Sequence, residues 1–563
     1  MDQDTIHRRR WAILGVLVLC LLVVILDNTI LNVALKTIQN DLDASQSQMQ
    51  WAVDSYALVF AGLLITWGVL GDRLGRKRVL LIGLLVFGAM SALCSFAASS
   101  GELIAFRALM GIGAAAVQPQ TLSIIQNVFE PKERAKAIGI WAGASGMAIA
   151  LGPITGGLLL KYFWWGSIFL VNVPIVIAAV VGIVLLVPES KDPAPGRLDP
   201  SGVLLSIVAL VVLVYGVIEG GNSNDWLAWN TLGAIVLGVA LLAVFVWTQA
   251  RSTHPTIDVS LFKNRHFSSG AFAIAMTFFA LQGSTFYLAY YLQAIRGYSP
   301  LLAGTALVAV ALAVMIAAPM STKLSAQFGQ RVVTGVGLTV FGLALASYLL
   351  ATQTMPIWTI ELVLVGFGLG MGLTMSPATD AIMSAVPREK SGAGSAVNNT
   401  VRQVAGALGV AILGSIVAVS FRGHLGADTP AQVAAQLDRP AVVAQLPAGQ
   451  LVTPLVSGDT SQSIGNALHF AGAAQQALQS RAGSVPPAQA AQYTQQDRAE
   501  LGGFVADAKS SFMSAVHVTS LFAALAAILG AVVAFRYLPG RRPAKPDMVL
   551  VHEPAAAPAE AVA

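Results

Sequence analysis

Charge is what this chain has least of. Asp, Glu, Lys and Arg make up 11% of its 563 residues, against about 25% in an ordinary soluble domain. So little charge cannot solvate the surface of a water-exposed globule this large, which leaves lipid as much of the solvent. Cysteine is nearly absent: there are 2, Cys20 and Cys94, both inside apolar runs. A disulfide framework and a thiolate metal site are thereby excluded, and packing or lipid contact accounts for both side chains. No Gly-x-x-x-x-Gly-Lys-Ser/Thr loop and no metal-spaced set of His or Cys occurs. Neither a nucleotide, a metal nor any other cofactor is expected, and any work the chain does must draw on gradients. The net charge of +5 does not point to nucleic acid, because the basic residues sit in short clusters between apolar runs.

Hydrophobic residues reach 56%, and about 20 in a row suffice to cross a bilayer. Fourteen candidate spans emerge, at 11–34, 50–70, 79–98, 103–125, 137–160, 167–187, 202–219, 231–249, 267–292, 301–323, 332–350, 357–375, 394–419 and 512–535. The first follows a basic stretch at 7–10, but it is too long for the apolar region of a signal peptide, so no cleavable leader is expected. An even number of spans puts both termini on one side. The segments on that side hold 23 Lys and Arg and the short loops opposite hold three, Lys36, Lys161 and Arg296. By the positive-inside rule both termini are expected in the cytoplasm. The fold class expected is all-α and integral to the membrane.

A weak internal repeat divides the chain. Gly75-Arg76-Lys77-Arg78 follows the second span and Gly329-Gln330-Arg331 the tenth. Many secondary transporters are built from such repeats. The expected organisation is a tail at 1–10, a six-helix half at 11–188, two linker helices with their loops at 189–266, a second six-helix half at 267–538 and a disordered cytoplasmic tail at 539–563. Within the second half a long outer loop, 421–511, is rich in Ala and Gln. Thr429-Pro430 reads as an N-cap followed by Pro at the first helical position, and 432–446 and 464–480 have helical composition. An outer cap of amphipathic helices is expected, with a disordered loop as the alternative.

Three motifs carry chemistry. The loop Gly71-Asp72-Arg73-Leu74-Gly75-Arg76-Lys77-Arg78 has two glycines for a tight turn and an acid, Asp72, among cations such as Arg76. It reads as a latch of exchangeable charge pairs, or more plainly as a basic loop on the inner side. The fifth span carries Gly143, Gly152, Pro153, Gly156 and Gly157. Gly inside a helix costs about 1 kcal/mol and Pro about 3, which close packing on a neighbour must recover; a bend at Pro153 would let the helix flex there. The third motif is a set of buried charges, Asp27, Asp54 and Arg107, in the first, second and fourth spans. Each lies roughly 6–10 Å below the outer end of its helix at 1.5 Å per residue. A charge in mid-membrane costs about 2.5–3.5 kcal/mol. A carboxylate whose counter-cation comes and goes can exchange a proton for a cationic substrate; a permanent ion pair for Asp27–Arg107, and a solvated helix end for Asp54, are the plainer readings. Phe286, Tyr287 and Tyr290 in the ninth span offer aromatic faces to a lipophilic cation, or form an interfacial belt. Glu219, Asp380, Arg402 and His517 read as boundary residues without an assigned role, Arg402 being placed to snorkel.

Taken together these residues resemble the major facilitator superfamily, and within it the fourteen-helix drug:proton antiporters of the QacA/EmrB kind. Gly71 to Arg78 is similar to motif A, Arg107-Ala108-Leu109-Met110-Gly111-Ile112-Gly113 to motif B, and Gly152-Pro153-Ile154-Thr155-Gly156-Gly157 to the antiporter motif C. Leu26-Asp27-Asn28-Thr29-Ile30-Leu31-Asn32-Val33-Ala34-Leu35 resembles the first-helix signature of that branch, and Ile168-Phe169-Leu170-Val171-Asn172-Val173-Pro174 its approach to the sixth helix. Two departures stand out. The family's Trp-Arg-Trp before the sixth helix reads Trp165-Gly166-Ser167, and the thirteenth span has no acid. The resemblance implies a major facilitator fold of two six-helix halves plus two additional helices. It also implies proton-coupled efflux of amphipathic, cationic compounds by alternating access, in the plasma membrane of a bacterium. Asp27 would then belong to an outer acidic pocket, Arg107 to proton translocation, and Asp54 to an acidic position favouring cationic drugs. Protons, small amphipathic molecules and the lipid bilayer are the expected partners, with the chain a monomer. Export of a native lipid, siderophore or metabolite is the alternative, and a non-transporting receptor or scaffold a more distant one.

Overall fold

The computed structural model describes residues 3–191, 199–252, 255, 259–386, 391–425, 430–438, 452, 464–482 and 487–540. Among them there is no strand. In chain order the helices are α1 (Gln3–Asp41), α2 (Gln46–Leu74), α3 (Arg76–Ser95), α4 (Ser100–Val128), α5 (Pro131–Tyr162), α6 (Ser167–Leu170), α7 (Asn172–Leu186), α8 (Pro200–Ser223) and α9 (Trp229–Arg251). They continue with α10 (Arg265–Tyr290), α11 (Pro300–Phe328), α12 (Gln330–Ala346), α13 (Ile357–Ser384), α14 (Ser391–His424), α15 (Pro430–Leu437), α16 (Ile464–Ala482) and α17 (Pro487–Tyr537).

Local chemistry sets where these helices begin. Ser45 and Gln48 form a reciprocal capping box at the start of α2, at 3.2 and 2.8 Å. At the start of α4, Ser99 Oγ accepts from Glu102 N at 3.2 Å, and the Glu102 carboxylate reaches back to accept from Ala98 N at 2.8 Å. Pro131, Pro200 and Pro300 each open a helix, where the missing N–H costs nothing. Among the described residues 12 helices are long and apolar enough to cross a membrane, or 13 if the pair Ser47–Leu64 and Thr66–Leu74, bent by 51°, is one span. The remaining expected span corresponds to α5, a 32-residue helix.

The helices sort into two bundles. In the first, α1 packs on α5, α7 and α4, α2 on α4, and α3 on α4 and α7. In the second, α10 packs on α14, α17 and α13, α11 on α13, and α12 on α13 and α17. The bundles meet along two seams, α5 against α11 and α2 against α14. α8 lies over the second seam, in contact with α2 and α14, and α9 packs on α8. An added Cβ at Gly62 would strike Ile207, and one at Gly221 would strike Ser415, whose hydroxyl donates to Val217 O at 3.0 Å. The outer face of α9 presents Val236, Leu237, Val239 and Trp247 to lipid.

The repeat seen in the sequence has a structural counterpart. Gly75 and Gly329 both adopt positive φ, 113° and 86°, a region that side chains avoid. Just after each, a backbone N–H ties the turn to the segment that follows the last helix of its bundle: Arg76 N to Ser190 O at 2.9 Å, and Arg331 N to Pro539 O at 3.1 Å.

The long loop expected at 421–511 contains helices. α15 starts at Pro430, and α16 covers the second expected segment. Thr429 and the part of 432–446 beyond Asp438 lie outside the described residues, as does the tail from 541 onward. α17 runs 51 residues, far longer than a span requires, so its first turns continue the cap. Phe470 of α16 meets Phe504 of α17 edge-on at 5.7 Å, and both are buried. α16 also touches α1.

Candidate functional site

The charged centre of the first bundle is an ion pair. Asp27 of α1 and Arg107 of α4 meet at 2.5 Å, with both side chains essentially inaccessible. Arg107 Nε donates to Ala52 O at 3.1 Å, and its guanidinium lies 4.3 Å from the centroid of the Tyr56 ring. Asn172, at the start of α7, donates to the other carboxylate oxygen of Asp27 at 3.0 Å and to Ser91 Oγ at 3.1 Å. Ser91 in turn donates to Phe169 O at 2.8 Å. Two charges removed from water need this many partners, or desolvation outweighs their attraction. Sequence depth correctly put Asp27 and Arg107 at one height. Asn172 stands in a quoted motif, but an uncharged amide gave no sign of its role.

Asp54 belongs to a different environment. Tyr56, two residues later, faces Arg107 with its ring, on the same side of α2 as Ala52, and at about 100° per residue Asp54 lies some 200° from both. Asp54 therefore points away from the ion pair. It is fully buried, and neither of its oxygens has a hydrogen-bond partner. One turn before it, Gln50 reaches Gly414 of α14. One turn after it, Ala57 and Leu58 cluster with Leu210 and Val214 of α8 and with Ala407 and Ala411 of α14. The carboxyl thus sits at the seam between the bundles, and the solvated helix end is not what the structure shows. Leaving such a group ionised and unpaired is expensive; a proton or a cation removes the cost.

The glycines of α5 make the other seam. An added Cβ at Gly152 would collide with Thr29 of α1, one at Gly156 would come within 3.2 Å of Ile30, and one at Gly157 would collide with the backbone of Leu301 in α11. From the other side, Gly304 of α11 has room for no Cβ, because Pro153 O lies against it. Close packing on two neighbours is what so many small residues implied. The surroundings of Gly143 lie outside the described residues. The same end of the molecule, opposite the N-terminus, carries a reciprocal clasp between bundles. Lys36 Nζ donates to Gln293 O at 3.0 Å and Gln293 Nε2 to Val33 O at 2.9 Å. Gln293 lies in a π turn, Tyr291–Ile295, that ends α10 with an Arg296 N to Tyr291 O bond of 3.0 Å; such turns often mark functional positions. Gly304→Val is expected to cost about 1–3 kcal/mol by overpacking and to loosen this closure. The checks are thermal unfolding in detergent and faster maleimide labelling of a cysteine placed at Asn32.

The loop between α2 and α3 is latched, though within its own bundle. Asp72 pairs with Arg76 through two hydrogen bonds at 2.9 and 2.8 Å. Glu189, beyond the end of α7, accepts from Lys77 N at 3.1 Å and lies 3.7 Å from Arg78. An added Cβ at Gly71 would strike Gln120. Glu189 escaped the sequence reading because its partner is 112 residues away. In the ninth span, Phe286, Tyr287 and Tyr290 are buried inside the second bundle and form no interfacial belt. Tyr287 bonds Ser520 at 2.8 Å, while the Tyr290 hydroxyl has no partner. His517 bonds Ala351 O at 2.9 Å, and Asp380 is bonded by Gln330. No group of three potential metal ligands occurs among the described residues.

The model of the Major Facilitator Superfamily matches residues 17–410. The chain is 36% identical over 529 residues to the multidrug efflux pump LfrA of Mycolicibacterium smegmatis, covering 94% of this chain and 97% of that one. It is 35% identical over 425 residues to the methyl viologen resistance protein SmvA of Salmonella typhimurium, covering 74% and 84% respectively. The tetracenomycin C resistance and export protein of Streptomyces glaucescens is 35% identical over 413 residues, covering 73% and 76%. Among solved structures, the inward-facing, unoccupied form of a bacterial homologue of the human lysosomal transporter Spinster superposes with a TM-score of 0.57 at 17% identity, covering 94% of this chain and 98% of that one. The likeness is one of fold.

Proposed function

This chain belongs to the major facilitator superfamily and is a transporter, not an enzyme, and from that premise we propose that it exports amphipathic, lipophilic cations in exchange for protons. Drug efflux itself is supported by relatives named for multidrug efflux and for antibiotic resistance. One of them is named for resistance to methyl viologen, which is a dication. The observation that carries proton coupling is Asp54, a buried carboxyl without a partner where the two bundles meet. At rest it holds a proton. A cationic substrate entering the seam replaces that proton, and the bundles rock about the substrate. On the far side the cation leaves and a new proton restores the neutral acid. Asp27 and Arg107 hold the first bundle rigid around α1 and α4, and they relay the change in charge through Ala52 and the body of α2.

In this reading α5 also crosses the membrane, which brings the spans to fourteen and makes the chain one of the QacA/EmrB branch. The residue ranges 11–188 and 267–538 are its two rocking halves, and 189–266 links them. The face carrying both termini, rich in Lys and Arg, is cytoplasmic, in a bacterial inner membrane. The clasp of Lys36 with Gln293 and the close contact of Gly157 with Leu301 then close the outer side, so the chain is inward-facing. Tyr290 and Phe286 offer aromatic faces to the cation in the second half, and the monomer is the working unit. Efflux of a cationic dye from proteoliposomes, with pH gradient and voltage imposed separately, tests the reading. Acidifying the side that receives the dye should drive its export at zero voltage. Flux indifferent to the pH gradient would leave only an uncoupled facilitator.

A further inference from the structure

Arginine inside a membrane is kept for a reason, because its charge is costly there and finds a partner or a ligand. The chain has two such residues, and they are held very differently. Arg107 has a carboxylate, a backbone carbonyl and an aromatic ring. Arg402, on α14 in the second bundle, has one neutral hydroxyl: its Nη2 donates to Thr379 Oγ1 of α13 at 2.9 Å. Its guanidinium lies 5.5 Å from the centroid of the Phe278 ring of α10. Its Nε is buried without a hydrogen-bond partner, and among the described residues no carboxylate lies within ion-pair distance of it. One turn earlier on α14, Asn398 is also buried, with its carbonyl oxygen unpartnered. The side chain is partly exposed, and its contacts are to α13 and α10.

We propose that Arg402 is an anion-recognition subsite, which binds a carboxylate, sulfonate or phosphate carried by an amphipathic substrate. The planar guanidinium suits such groups through charge-assisted hydrogen bonds. Phe278 supplies an apolar face alongside, and the amide of Asn398 a neutral polar one. The inference rests on the export reading above and narrows it. Gln50 marks the height of Gly414 on α14. Asp54 lies about 6 Å nearer the terminal face and Arg402 about 18 Å nearer, at 1.5 Å per residue. The acid and the cation are therefore offset by about 12 Å along the bundle axis, in opposite halves of the molecule. A zwitterionic amphiphile would find a partner for each end. A simple lipophilic cation would use only Asp54.

Rhodamine 6G, an ester, and its free acid rhodamine 19 differ in a single carboxyl group and make a matched pair of probes. Transport of each into or out of proteoliposomes, and binding of each to the purified full-length protein by fluorescence anisotropy, are compared for the wild type, Arg402→Gln and Arg402→Lys. The wild type should handle both dyes. Arg402→Gln should lower the acid-to-ester ratio by about ten- to a hundredfold, the worth of one charge-assisted hydrogen bond pair, and Arg402→Lys should recover part of it. An equal fall for both dyes in Arg402→Gln would reduce Arg402 to a packing role and overturn the proposal. A wild type that binds and moves the ester while ignoring the acid would also overturn it and would leave cation export standing. A wild type that moves neither dye would instead count against export, and the subsite would stand or fall on the binding ratio. If Arg402→Gln does not elute as a single species, the Lys variant decides: an acid-to-ester ratio unchanged despite the altered geometry of the donor would refute a guanidinium-specific subsite.

Discussion

Arg107→Gln should destabilise the protein by about 3–5 kcal/mol, the usual consequence of stranding one member of a buried ion pair. Asp27 would keep its bond from Asn172, at 3.0 Å, but lose the cation 2.5 Å away. Asp27→Asn should cost a similar amount, because it leaves the guanidinium of Arg107 without a counter-charge, among Ala52 O, Met110 Sδ and the Tyr56 ring. The informative variant is the double one, Asp27→Asn with Arg107→Gln. Two neutral amides can bond across the same gap, so most of the lost stability should return, and the coupling energy of the cycle measures the pair. Thermal unfolding in detergent supplies the four numbers. Export by the double variant separates the two roles open to the pair. Restored stability with restored pH-driven export makes it a brace only, whereas restored stability without export makes its charge part of the coupling. Single variants as stable as the wild type would contradict the burial described.

Asp54→Asn should have the opposite profile. The carboxyl has no hydrogen-bond partner to lose, so the folded protein should be at least as stable and reach the membrane in normal amount. Export driven by an imposed pH gradient should nevertheless fall to the level of vesicles treated with a proton ionophore. A cationic dye should bind about tenfold or more weakly, the loss of one charged partner in a dry site. Measuring dye binding and pH-driven efflux on the same preparation checks both. Undiminished coupling in Asp54→Asn would remove Asp54 from the proton's route and leave Asp27 as the remaining buried carboxyl among the described residues of the first bundle.

These contrasts mark how far the sequence could be read. The all-helical architecture and the small-residue faces of α5 follow from composition and spacing, since lipid demands long apolar helices and each glycine or proline inside one needs a compensating contact. Height within a span also follows, at a fixed rise per residue. Azimuth does not. Asp27, Arg107 and Asp54 share a height, yet only two of them meet, because Ala52 and Asp54 look out from different sides of α2. That difference depends on how α2 is rotated between α4 and α14, which is set by contacts far apart in the chain. The same limit hid Glu189 and the clasp of Lys36 with Gln293, whose members lie 112 and 257 residues apart. Arg402, expected only to snorkel, has a named partner in Thr379, which lies 23 residues away and gave no signal in the sequence.

The α8–α9 hairpin has a mechanical consequence. α8 touches both bundles at once, through α2 on one side and α14 on the other. Any rotation of one bundle against the other must drag it or slide past it. Small residues line much of the contact, with Gly62, Ala57, Ala407, Ala411 and Ser415 facing α8 and its Gly221, while Ser415 and Arg422 of α14 add hydrogen bonds to Val217 O and Gly221 O. Small residues let a strap stay close to α2, and the two bonds hold it to α14. The strap also covers one of the two seams, where α2 meets α14. Bulk added to the bearing surface would slow the motion without touching a single charged residue.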